Sequence, residues 1–276
     1  MIGGRTAGHT HRMRVTRLLW TLLALSGCNA PDYTPVRDWA ATASLAVDHP
    51  RIAGSPLAGS PVAPPPGAEP AQPQPRRDDS ILAMQEALAT YLQAVATLAS
   101  DGVLPYRESP FVDLAARVTP ASPSGGQAIA ALGLLLRHAN RTNAQAPMLR
   151  DNIRAADAPV QALISALLDA VARQAGEETQ ARQDAAAFYA GIEARSDDAA
   201  ARQALREWAG RRDGAFAAQA AARAQYGEIL TRVAAGHALL KGRAGRVTQE
   251  DVVQEVRIAE DQLRRAALAL RRGGAG

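Results

Sequence analysis

The sequence predicts an all-α fold: a helical bundle with a long antiparallel helical hairpin, preceded by a Pro-rich tether. Three observations predict it. Alanine dominates from Ile81 onward, aromatics make up only 4% of the chain and β-branched runs are missing, a composition that favours helix over strand. Apolar residues recur at alternating spacings of three and four, the signature of one buried helix face. Residues 54–75 crowd Gly, Ser and Pro, which fix φ, remove backbone donors and cannot nucleate a core. The chain thus divides into a leader (1–27), a tether (28–78) and a bundle domain (79–272).

The leader carries Arg5, Arg12, Arg14 and Arg17 with no carboxylate, then the apolar run Leu18 to Leu25, then small residues before the only cysteine. About eight apolar residues would span ~12 Å as a helix against a ~30 Å hydrocarbon core, so the run is too short to cross a bilayer. This order is that of an export signal. Its end, Leu25-Ser26-Gly27-Cys28, resembles the lipobox of bacterial lipoproteins. That resemblance implies cleavage after Gly27, a diacylglyceryl group on the Cys28 thiol and acylation of the new amine. Asn29 is not the aspartate associated with inner-membrane retention, so the resemblance further implies the periplasmic face of the outer membrane. A lone thiol in an exported chain has no disulfide partner, and acylation caps it. Each buried methylene adds ~0.8 kcal/mol, so two or three acyl chains anchor almost permanently.

Charge excludes one class of partner once the leader is set aside. Residues 1–27 hold four of the 31 basic residues and none of the 27 acidic ones, which leaves the rest neutral. A nucleic-acid binder would show a basic stripe with stacking aromatics, and none is present. Every cation but Lys241 is Arg, spread along the chain in the manner of codon bias.

After Cys28, Asp38 is expected to cap a short helix with Trp39 and Leu45 on one side. Trp39 there fits either a membrane-headgroup position or docking on its own domain. The Pro-rich stretch follows as the spacer. Asp78-Asp79-Ser80 then start a helix with Ile81, Leu88, Tyr91, Leu92 and Val95 on its apolar face, stopped at Asp101-Gly102. Ser109-Pro110 start a short helix to Val118. Ser124 and Gln127 fit a capping box for a helix bearing Ile129, Leu132 and Leu136. Met148 to Ile153 suggest a short helix that ends at Asp157-Ala158-Pro159. From Pro159 one hairpin arm runs to about Arg195, with Ala175-Gly176 a potential break, and from Asp198 a second runs to about Lys241. A last helix from Thr248 ends in Arg271-Arg272, cations that suit the negative end of the helix dipole.

Catalytic chemistry is not apparent. No His lies three residues after a Glu as in di-iron bundles, one cysteine excludes covalent haem attachment, and no phosphate loop or nucleophile elbow is present. His237 falls on an apolar stripe, where a hydrogen-bonded core histidine is the expectation, and no carboxylate lies near it in sequence. No cofactor, metal or catalytic residue is assigned. The candidate partner-binding residues are Tyr106, Arg107 and Phe111, anchor types in an irregular segment, and Tyr189 and Trp208 near the hairpin tip, which alternatively staple its arms. The expected function is a non-enzymatic lipoprotein scaffold that docks a protein partner in the periplasm. The alternative is a carrier or sensor holding an apolar ligand or lipid between its helices.

Overall fold

A computed structural model describes residues 32–49, 77–100, 102–104, 109–141 and 146–273; the leader with Gly27 and Cys28, the Pro-rich stretch, Tyr106 and Arg107 lie outside them. The described residues form seven helices and no strand: α1 (Thr34–Val47), α2 (Arg77–Ala99), α3 (Phe111–Val118), α4 (Pro123–Arg141), α5 (Ala146–Glu193), α6 (Ala199–Arg243) and α7 (Glu250–Gly273). The all-α expectation holds, and α5 and α6 are the antiparallel hairpin.

Pro35 opens α1, where a missing N–H costs nothing. Asp38 is therefore not the cap but lies inside the helix. Leu45 lies six positions after Trp39, about 240° around the axis, so the two point apart. Trp39 is 1% exposed and Leu45 66%. Val36, Trp39, Ala40, Ala43 and Val47 enter the common core between α2, α6 and α7. Polar bonds stitch the same helix in place: Ser44 Oγ to the Ala89 carbonyl (3.0 Å), Thr42 Oγ1 to Glu260 Oε1 (3.1 Å), and Tyr226 Oη to the Val47 carbonyl (2.9 Å).

This placement corrects the boundary at 79. The bundle begins at Tyr33, and the Pro-rich stretch joins two helices of one core instead of separating the bundle from what precedes it. Trp39 docks on its own domain. Only five residues separate Cys28 from Thr34, which at ~3.5 Å per extended residue reach at most about 20 Å.

The cap of α4 is also displaced from its expected place. Ser122, not Ser124, accepts a bond from the Gly125 amide (3.2 Å), and the helix starts at Pro123. Helix α5 runs unbroken through Pro159 and through Ala175-Gly176 for 48 residues, so the expected stop at Pro159 does not occur. A mid-helix proline costs ~3 kcal/mol, but Ala156, Asp157, Val160, Leu163, Ile164 and Leu167 on either side of it are all buried, and that burial outweighs the lost bond. At 1.5 Å per residue α5 and α6 extend about 72 and 68 Å, whereas α2 and α4 extend about 35 and 29 Å. Asp198, where the second arm was expected to start, caps α6, its carboxylate accepting from the Ala200 amide (2.9 Å).

Length and composition alone would let the helices Asp79–Ala99 and Met148–Glu193 cross a membrane, but 67% and 50% of their apolar windows are buried inside the bundle. Their hydrophobicity serves the core.

Candidate functional site

Two features hold the chain's distinctive chemistry: a polar chain inside the bundle and an aromatic face on the hairpin. The first starts from residues that break three apolar stripes. Tyr91 lies between Leu88 and Leu92 on α2, Asp157 between Ile153 and Val160 on α5, and His237 between Val233 and Leu240 on α6. Packing the stripes brings the three together. Tyr91 Oη lies 2.8 Å from His237 Nε2, and His237 Nδ1 lies 3.0 Å from Asp157 Oδ1. Lys241 Nζ donates to Asp157 Oδ2 (2.7 Å), and Gln161 Nε2 donates to the Ala234 carbonyl (2.9 Å) and more weakly to Asp157 Oδ1 (3.4 Å).

The protonation pattern follows from these partners. An ionised Asp157 only accepts, so His237 carries its proton on Nδ1 and its Nε2 accepts from the Tyr91 hydroxyl. Burial pushes the His237 pKa down, and the Asp157 bond offsets this only in part. Burial also opposes ionisation of Asp157, but hydrogen bonds from Lys241, His237 and Gln161 outweigh it and hold the carboxyl below its usual range. Desolvation drives the Tyr91 hydroxyl well above its ordinary value, so it stays a neutral donor.

His237 is fully buried, Gln161 is half-buried, and Lys241 reaches furthest into solvent, its side chain 52% exposed. The chain's one lysine thus places a compact ammonium on the single free oxygen of a buried carboxylate, where an arginine fork would compete for the oxygen His237 already uses. With Tyr91 and His237 sealed inside the bundle, the arrangement locks α2, α5 and α6 in register. A sequence signal did exist: Asp157, four residues after Ile153 and three before Val160, sits on the buried face of α5, and a carboxylate there requires a partner.

The second feature occupies the outer half of the hairpin. Beyond Val171 and before Arg223, Phe216 is the only buried residue among those described. The arms meet along half-buried Ala181, Ala185, Tyr189 and Ile192 on α5 and Ala201, Leu205 and Ala209 on α6, an inward face repeating at threes and fours. At its base Arg223 is buried against Glu178 in a bidentate ion pair. Further out, Arg182 grips Asp213 (2.9 Å) and Arg206 pairs with Glu193 (2.7 Å).

Those two ion pairs define the sides of the hairpin. Turning about 100° per residue from the seam, Arg182 and Glu193 fall on one flank of α5, and Phe188 on the other. On α6, Arg206 and Asp213 fall on one flank, and Trp208 on the other. The ion pairs join the first two flanks, so Phe188 and Trp208 share the opposite face, 52% and 59% exposed.

Of the sequence candidates, Tyr189 lies in the seam and staples the arms, with its ring edge-on to Phe188 (centroids 5.6 Å apart), while Trp208 stands on the surface. Phe111 is no surface anchor: Ser109-Pro110 turn α3 so that its ring is buried, with its Cβ where a side chain at Gly133 would go. Phe188, not among the candidates, joins Trp208, a pairing that only the register of α5 against α6 reveals. Among the described residues no three His, Cys, Asp or Glu side chains converge as metal ligands would.

Fold and site thus define an all-helical bundle with a buried Tyr-His-Asp chain closed at the surface by Lys241, and an extended hairpin. No protein-family model, curated protein or solved structure matches this chain.

Proposed function

We propose that the chain is a non-enzymatic scaffold, lipid-anchored at the outer membrane and facing the periplasm, that docks a protein partner through its hairpin. One observation carries the docking: Phe188 and Trp208 stand exposed on one face of an otherwise Ala-rich, charge-balanced pair of helices. Large rings of this kind dominate interface energetics, and leaving two in water is unfavourable without a partner. The run Leu25-Ser26-Gly27-Cys28 supports the anchor. Where Gly133 and Gly236 sit the helices leave no room even for a methyl group, and the groove of about 700 Å³ between α6 and α7 opens to solvent, which favours docking over ligand carriage. The groove between the arms, about 340 Å³, opens to solvent and is edged by Arg182, Arg206 and Asp213.

A photo-crosslinking residue at position 188 or 208 in intact cells should capture a protein; adducts with lipid alone, or none, overturn the docking. Cys28→Ser should release the chain from the membrane fraction, and unchanged fractionation contradicts the anchor.

A further inference from the structure

We infer that a polar cleft between α2 and the start of α3 binds a neutral sugar. This site lies on the body of the bundle, and the inference does not rest on the docking reading of the hairpin.

The cleft comes from the way α2 and α3 part. Arg117 on α3 reaches Glu86 on α2 (3.5 Å) and ties the two helices together. One turn further up α2 and down α3, Thr90 comes opposite Asp113, and beyond them Gln93 comes opposite Ser109. Neither pair bonds across the gap. The side chains instead line a space of about 500 Å³ that opens to solvent, within the ~300–1,000 Å³ of small-molecule sites. Ser44 of α1 closes one wall, its hydroxyl given to the Ala89 carbonyl (3.0 Å), and Ala89 and Pro110 are the apolar part of the lining.

The polar groups facing the cleft have unspent hydrogen-bonding capacity. Thr97, Thr179 and Thr231 each give their hydroxyl to the carbonyl four residues back (2.9 Å), the usual resort of a threonine within a helix. Thr90, half-buried in α2, makes no such bond, and among the described residues its hydroxyl has no partner. The side chains of Gln93, Ser109 and Asp113 are likewise without a partner among the described residues.

This set of groups selects the ligand. Asp113 is the one charged residue among those described in the lining, so no cation there would offset a phosphate or carboxylate, and a single carboxylate is too few for a hard metal ion. An apolar ligand would strand Thr90, Gln93, Ser109 and Asp113 away from water. A peptide backbone calls for a sheet edge to extend, and the described residues form no strand. Two hydroxyls and an amide that donate and accept, beside a carboxylate that accepts from two neighbouring hydroxyls at once, match the adjacent hydroxyls of a pyranose ring. The C–H face of the ring then lies on Ala89 and Pro110.

Isothermal titration calorimetry on the full chain, in a detergent without a sugar headgroup, tests this with maltotriose and chitotriose. At least one should bind saturably with a Kd of about 1 mM or tighter. Asp113→Ala should weaken that binding about tenfold or more and Thr90→Val about fivefold, with thermal melts unchanged, while Asp184→Ala on the hairpin leaves it unaltered. Failure of both trisaccharides to bind at about ten times that concentration, or an affinity indifferent to both cleft substitutions, overturns the inference. Binding of inorganic phosphate or trialanine in their place, lost in the same two variants, would overturn the assignment to sugar. None of these results alters what crosslinks at positions 188 and 208 report about docking.

Discussion

At position 237 a histidine sits where apolar spacing alone would place a leucine. Its environment decides its charge. Burial holds its folded-state pKa below the ordinary 6.5, so the native chain binds fewer protons than the unfolded one as pH falls through that value. Stability is therefore complete above about pH 6.5 and declines below it, with a limiting slope of about 1.4 kcal/mol per pH unit. Asp157, also held low, adds a second loss in the same direction once pH falls below 3.8. Urea midpoints between pH 7.5 and 5 should follow that slope, and His237→Phe should abolish it while lowering stability by about 2–4 kcal/mol through the stranded Asp157 and Tyr91. A flat profile in the unaltered chain would contradict the assignment. The sequence shows that His237 belongs to the core, but its carboxylate comes from 80 positions away on α5. Local spacing cannot display such a partner, although Asp157 on its own buried stripe marks where one was needed.

At the scale of the element, glycines separate what propensity dictates from what packing dictates. Gly176, Gly210 and Gly214 lie within α5 and α6 with nothing within 4 Å of an added Cβ, so the only effect of a methyl group there is to favour helix. Each Gly→Ala should stabilise by about 0.5–1 kcal/mol, raising the melting temperature by about 1–4 °C. Gly236→Ala, in the same helix, should do the reverse. Its Cβ would lie 2.5 Å from Trp39 Nε1, and the crowding should cost about 1–3 kcal/mol, visible in the same thermal melts. Equal responses at all four sites would mean that α1 does not dock where Trp39 places it. The contrast also shows what the chain discloses about its elements. The alternation of threes and fours locates the helices and the Asp198 cap locates the hairpin turn, because both signals are local. Pro159 misleads for the opposite reason: its local cost is real, and the contacts that outweigh it come from other helices. The hairpin's aromatic face was half legible, with Trp208 evident as a ring near the tip and Phe188 joining it only once the register of the two arms is known.

For the whole molecule, the consequential fact is that the first helix closes the bundle. Helix α1 packs on α2, α6 and α7, so the core is completed by a segment that the Pro-rich stretch separates in sequence from all the others. If Cys28 is lipidated, the link between lipid and bundle is the run from Cys28 to Tyr33 alone. The Pro-rich stretch then adds no reach; its role is to connect α1 to α2. Composition could not reveal this, since fourteen Ala-rich residues ahead of a low-complexity run look like part of the leash until Trp39, Val36 and Val47 are seen buried. The arrangement makes a decisive prediction. A chain starting at Asp79 lacks these side chains and strips cover from Tyr226 and Ala89, so it should keep its helicity by circular dichroism but lose a cooperative melt. A synthetic peptide spanning residues 32–49 added in trans should restore the sharp transition, with amide exchange slowed in α2, α6 and α7, the helices that α1 covers. A truncated chain that melts as cooperatively as the full one, at the same temperature, would return α1 to the tether and the bundle to residues 79–272.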